Sequence, residues 1–182
     1  TRPTPSGTNP DMGAYENDLG APAPIIPKVS GVTSTTANGI YKVGDAISII
    51  VGLSEVVTVT GSPRIQLETG LTDQYATYAS GTGNDTLIFT YTVVSGDTTA
   101  DLDYTSTSAL ELNSGTIKHV AGQALTLTLA SPGASGSLGA NKDFVIDGNV
   151  PMVSSVSSTK SDGLYEPVGE TIPITVTFSQ LV

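Results

Sequence analysis

Apolar residues alternate with hydroxyl-bearing ones through the middle of the chain. Ile47, Ile49, Val51 and Leu53 fall on one side of a strand-length run, and Ala46, Ser48, Ile50 and Gly52 fall on the other. A period of two is the mark of a half-buried strand. The clearest example sets Leu87, Phe89, Tyr91 and Val93 against Thr86, Ile88, Thr90 and Thr92. Val29, Gly31 and Thr33 alternate with Ser30, Val32 and Ser34, although the two faces there differ little. Shorter runs are predicted at 56–60, at 64–68 with Ile65 and Leu67 inward, at 75–80, around Ile117 and at 144–146. Leu102 and Tyr104 alternate with Asp101 and Asp103, Leu110 and Leu112 follow, and Leu125, Leu127 and Leu129 form a further inward row. No window carries the 3.6-residue period of an amphipathic helix.

Turn signals separate these runs. Asn38-Gly39, Val43-Gly44-Asp45, Gly61-Ser62-Pro63, the segment 81–85, Ser95-Gly96-Asp97 and Asn113-Ser114-Gly115 combine residues that tolerate positive φ or preset a bend. Residues 130–142, rich in Gly, Ser and Ala, read as a surface loop. Many short strands between such turns predict an all-β chain folded as an immunoglobulin-like β-sandwich. Its expected core is Ile47, Ile49, Val51, Leu53, Ile65, Leu67, Leu87, Phe89, Tyr91, Leu102, Leu125 and Leu127. The lack of Trp and Cys departs from antibody-type domains.

One stretch occurs twice. Residues 27–57 align with residues 151–182 once Pro167 is taken as a single insertion, and about half the aligned positions are identical. Tyr41 matches Tyr165, 124 residues on. Self-similarity at a fixed period predicts tandem modules. The expected organisation is a complete sandwich at 27–148 and the first strands of a second copy at 149–182. That fragment is too short to bury its own apolar faces, so residues 151–182 are expected to pair with the preceding module, a second chain or the rest of their own module. Residues 1–26 carry Pro3, Pro5, Pro10, Pro22 and Pro24 and should be extended, with Ala21-Pro22-Ala23-Pro24 as a stiff spacer. The chain opens at Thr1 without an initiator Met, which suggests a processed protein or a piece of a longer one.

Two resemblances extend this picture. Pro10-Asp11-Met12-Gly13-Ala14-Tyr15-Glu16 resembles the ending of secreted right-handed parallel β-helix domains, so residues 1–18 look like the last rung of an upstream domain. The unit 27–148 is similar to bacterial immunoglobulin-like tandem repeats of large secreted or surface proteins. The words that carry this are the segment 38–45, Leu53-Ser54-Glu55, Gly96-Asp97, the segment 101–104, the segment 110–117, Ala121-Gly122 and the segment 145–148. The resemblance implies an extracellular or cell-surface bacterial protein with a stalk or adhesin-like role.

Composition removes several function classes. Seven basic residues face 17 acidic ones, a net charge of −10, which disfavours nucleic acid because phosphate binding needs clustered Lys and Arg. No Cys is present for a disulfide, thiol or thiolate-metal site. No apolar run reaches the roughly 18 residues of a membrane span.

Enzyme chemistry finds little footing. His119 is a lone histidine in a polar hairpin region and reads as structural. Gly52-Leu53-Ser54-Glu55-Val56 lacks the closing glycine of a nucleophile elbow. Gly81-Thr82-Gly83 lacks the third glycine and following helix of a phosphate loop. The expectation is therefore a non-catalytic protein.

Calcium is the stronger chemical expectation, because it takes clustered hard oxygens from loops. Asp97, Asp101 and Asp103 form one candidate set, with Asp101 and Asp103 expected on one strand face. Asp147 and Asn149, at the joint before the second copy, form another. The bland alternative leaves Asp101 and Asp103 as solvated outward positions. Asn84-Asp85-Thr86 matches a glycosylation tripeptide. Tyr75, Tyr78, Tyr91 and Tyr104 could line a glycan-binding surface, although in a sandwich such residues more often belong to the core.

The leading functional expectation is a structural or adhesion module that acts as stalk or spacer, with neighbouring repeats as its partners. One alternative is a filament subunit joined to other copies by strand exchange through 151–182. Another is a glycan-binding accessory of a β-helix polysaccharide-active enzyme.

Overall fold

Strand β3 (Ala46–Thr60) is the axis of the molecule. In a computed structural model, residues 23–165, 169 and 171–179 are described. The expected β-helix ending and most of the Pro-rich spacer lie outside them. The first half of β3 pairs antiparallel with β1 (Val29–Ser34) on one edge and with β6 (Asn84–Thr92) on the other. Its second half pairs with β9 (Thr116–His119). The expected break into separate strands before residue 56 does not occur. The register on β6 slips between Gly52 and Val57 instead, so one long strand changes partner. The large sheet continues from β6 through β5 (Gln74–Ser80) and β4 (Arg64–Leu67) to β8 (Leu110–Glu111).

A second sheet has the order β2-β10-β7, made of Gly39–Lys42, Phe144–Asp147 and Thr98–Thr99. Asn38-Gly39 does not make a hairpin turn. The chain crosses there to the smaller sheet, where β2 runs parallel to β10. Asn38 Nδ2 donates to Asp143 Oδ2 at 2.9 Å and holds the crossing.

One hydrophobic cluster joins both sheets. Ile47, Ile49, Val51, Ile65, Leu67, Leu87, Phe89 and Tyr91 come from the large sheet, and Phe144 and Ile146 from the small one. Tyr41 packs edge-on against Phe144, with centroids 5.6 Å apart, and its hydroxyl donates to the Ala37 carbonyl. Of the expected core only Leu127 is merely half-buried.

Residues 130–142 are more than a surface loop. They contain the short helix α1 (Leu138–Asn141), capped by Ser137 Oγ accepting from Ala140 N at 3.1 Å. Ser137 and Leu138 are buried. Four residues are too few to display a 3.6-residue period. The segment closes the outer edge of β1: Val32 N donates to Gly136 O, and Asn141 Nδ2 donates to Val32 O, each at 2.8 Å.

Beyond residue 148, β11 (Val153–Ser158) and β12 (Ile174–Phe178) form a two-stranded antiparallel sheet. All their residues are exposed. Among the described residues they join no strand of the preceding segment, the first of the three partners expected for them. No helix of the described residues is long and apolar enough to cross a membrane.

Candidate functional site

Asp97 sits in the turn that follows β6. Its Oδ2 accepts from Tyr91 Oη at 2.6 Å and from Val94 N at 3.0 Å, and the residue is only 2% exposed. Gly148 closes on the same turn: Gly148 N donates to Asp97 O at 2.7 Å, and Gly96 N donates to Gly148 O at 2.9 Å. A Cβ on Gly148 would lie 2.4 Å from Val94 O and 2.6 Å from Asp97 O, so the fit requires glycine. Asp97 therefore locks the end of β6 to the end of β10. Burial, then the Asp97 hydrogen bond and charge, raise the Tyr91 hydroxyl far above the usual tyrosine range.

Asp101 and Asp103 do not share the face of a strand, because residues 100–103 form none. Their carboxylates still converge. A Cβ on Gly139 would lie 3.0 Å from Asp103 Oδ2 and 3.2 Å from Asp101 Oδ2. Asp103 is not an outward, solvated residue. It is 9% exposed, and it accepts from Tyr104 N through Oδ1 and from Gly133 N through Oδ2, each at 2.9 Å. These bonds tie the 130–142 segment down. Asp101 is exposed, and partial desolvation, then the charges of Asp103 and Asp143, raise its carboxyl above the ordinary aspartate value. Burial and the nearby Asp103 push the Tyr104 hydroxyl up to about 12.

At the joint, Asp147 Oδ1 accepts from Asn149 Nδ2 at 2.9 Å, and Lys42 Nζ lies 3.9 Å from Asp147 Oδ2. The first expected calcium set is thus split, and the second stays together. Asp101 meets Asp103, Asp97 is engaged against Gly148, and Asp147 and Asn149 hold one another. Among the described residues, no group of three or more His, Cys, Asp or Glu is placed to hold a metal ion.

The tyrosines do not form one surface. Tyr91 and Tyr104 are buried, and Tyr104 Oη donates to Ala130 O at 2.7 Å. Tyr78 packs edge-on against Phe89, and the Arg64 guanidinium lies 3.8 Å above the Tyr75 ring. His119 is half-buried in its own turn, where Nδ1 accepts from Ala121 N at 3.3 Å. A cavity of about 210 Å³ opens among Thr107, Ser108, Leu110, Leu127 and Thr128. It carries no titratable or aromatic group and is smaller than usual ligand pockets of about 300–1,000 Å³.

The β11–β12 pair offers a different kind of site. Val153 faces Phe178, then Ser155 faces Thr177, Val156 faces Val176, Ser157 faces Thr175 and Ser158 faces Ile174. In β1–β3, Val29 faces Leu53, then Gly31 faces Gly52, Val32 faces Val51, Thr33 faces Ile50 and Ser34 faces Ile49. Every aligned pair coincides, and the one-residue irregularity after Val29 recurs after Val153. Ile174, Val176 and Phe178 are exposed where Ile49, Val51 and Leu53 are buried.

No family model matches the chain, and no curated protein or solved structure matches it.

Proposed function

We propose that the chain is a non-catalytic structural piece of a tandem-repeat protein of the bacterial cell surface or exterior, acting as stalk or spacer. In this reading residues 27–148 are one immunoglobulin-like sandwich repeat, and residues 149–182 begin the next. The observation that carries it is the reproduced register of β1–β3 in β11–β12, irregularity included. A spacer must also bear tension. Strands β2 and β10 stand near opposite ends of the unit and run parallel, so pulling the ends apart loads their hydrogen bonds together in shear. The lock of Gly148 on the 94–97 turn secures the same end.

Single-molecule pulling on the full chain tests this. A spacer unit gives one cooperative force peak. Its length gain is about 120 extended residues at roughly 3.3–3.6 Å each. Stepwise yielding without a peak would remove the reading. A second reading, assembly by strand exchange through residues 151–182, is favoured by the solvated edge of β12.

A further inference from the structure

Asn38-Gly39 is the one Asn-Gly pair of the sequence. Such a pair can react with itself. The glycine N–H loses its proton to hydroxide, and the nitrogen attacks the asparagine Cγ. A C–N bond forms, the Cγ–Nδ2 bond breaks, and ammonia leaves with its third proton taken from water. Water then opens the resulting cyclic imide to aspartate or isoaspartate. Glycine favours the step because no Cβ hinders the approach of its nitrogen. Asn38 and Gly39 are both exposed, so water and hydroxide reach them.

The fold ties down both reacting groups through one residue. Asn38 Nδ2 donates to Asp143 Oδ2 at 2.9 Å, and Gly39 N donates to Asp143 O at 3.1 Å. Attack needs the carboxamide to turn onto the Gly39 nitrogen, which gives up the first bond. It also needs that nitrogen bare, which gives up the second. A Gly39 anion formed in place would face the Asp143 carbonyl oxygen with no proton between them, so the hydrogen bond resists ionisation. Asp143 is in turn held by its position. It immediately precedes β10, whose first residue, Phe144, is buried and lies opposite Gly39 in the parallel pairing with β2.

We infer that Asn38-Gly39 is a latent self-modification site, restrained by Asp143 and released when β2 parts from β10. The reaction does not reverse, and its products oppose the closed form. Aspartate at position 38 sets a second carboxylate against Asp143 where a donor stood. Isoaspartate adds a backbone carbon ahead of Gly39 and puts β2 out of step with β10. A unit whose small sheet has stayed open long enough to react therefore closes less well afterwards. This holds whether or not residues 149–182 begin another repeat.

The test follows aspartate and isoaspartate at position 38 by peptide mapping of the full chain, kept in mildly alkaline buffer. A free peptide of residues 35–42 in the same buffer gives the unrestrained rate. The folded chain should convert at least tenfold more slowly than the peptide. Asp143→Ala removes one of the two acceptors and should speed conversion severalfold in the folded chain. Continued protection of the Ile49 amide from hydrogen exchange shows that the core of that variant stays closed. Equal rates in the folded chain and the peptide overturn the proposal. So does a folded Asp143→Ala chain that converts no faster than the unaltered one. If Asp143→Ala unfolds, the unaltered chain decides. In denaturant below its unfolding transition, conversion should rise in step with exchange of the Gly39 amide. Conversion that stays level while that amide opens rejects the restraint.

Discussion

Ile49 and Ile174 hold the same place in the same two-stranded register, yet one is 0% exposed and the other 62%. The difference separates two things that usually arrive together. Register between two strands follows from local sequence, since matched side chains and one irregularity set which residues face each other. Burial depends on elements distant in sequence. Ile49 is covered because it belongs to the cluster that joins the large sheet to Phe144 and Ile146 of β10, whereas among the described residues β12 pairs only with β11.

Substitutions at matched positions sharpen this comparison most. Ile49→Ala should cost about 2–5 kcal/mol of unfolding free energy, as for other buried aliphatic truncations. Ile174→Ala should change stability by about 0.5 kcal/mol or less. Denaturant titration of the two variants reads both. Comparable losses would mean that β12 is covered after all.

The polar lock of the first unit comes next. Asp97→Ala leaves the Tyr91 hydroxyl and Val94 N–H unpaired and should cost about 1–3 kcal/mol. Gly148→Ala drives a methyl into the Val94 and Asp97 carbonyls, with a penalty of about 1–3 kcal/mol. Both are measured by the same titration.

Alkaline pH acts through the same interior. The Tyr91 and Tyr104 hydroxyls are raised above the ordinary value of 10.0. Above that value the unfolded chain releases these protons first and the native state retains them. Stability is therefore unaffected below pH 10 and falls as pH rises from there toward 12. Tyrosinate absorbance should show both groups titrating only as the chain unfolds.

The smallest effect concerns Asp101. Its raised carboxyl pKa means that the native state binds the proton more tightly than the unfolded chain, whose value is 3.8. Stability therefore falls as pH rises from 3.8 through the raised value, and the cost persists at neutrality. Asp101→Asn should stabilise the chain by about 0.5 kcal/mol or less, seen as a small rise in the melting midpoint. Because Asp97 and Asp103 spend carboxylate oxygens on protein donors, millimolar calcium should leave that midpoint unmoved. A clear upward shift would restore calcium to Asp101 and Asp103.

The inward faces of β3, β4 and β6 were legible because a period of two needs no knowledge of partners. Ile47 to Leu53 and Leu87 to Val93 are buried as the alternation predicts. Three features were not legible, each for a physical reason. Asn38-Gly39 has the chemistry of a tight turn, but the parallel partner that draws it into the small sheet lies more than a hundred residues on. Ser137 and Leu138 look like loop residues until the edge of β1 gives them something to cover. Asp103 lies between Leu102 and Tyr104 in an apparent alternation, and one of the two donors that let it be buried, Gly133 N, lies thirty residues away. The one signal for such close packing was glycine itself, at Gly139 and Gly148.

Residue-resolved amide hydrogen exchange on the native chain tests the central claim most directly. In β3, Ile49 and Ile50 should both be protected, one bonded toward β6 and the other toward β1. In β12, Thr175 and Thr177 should show protection toward β11, while Ile174 and Val176 exchange freely. Protection that falls on Ile174 and Val176 instead, or that ignores this alternation, would contradict the shared register.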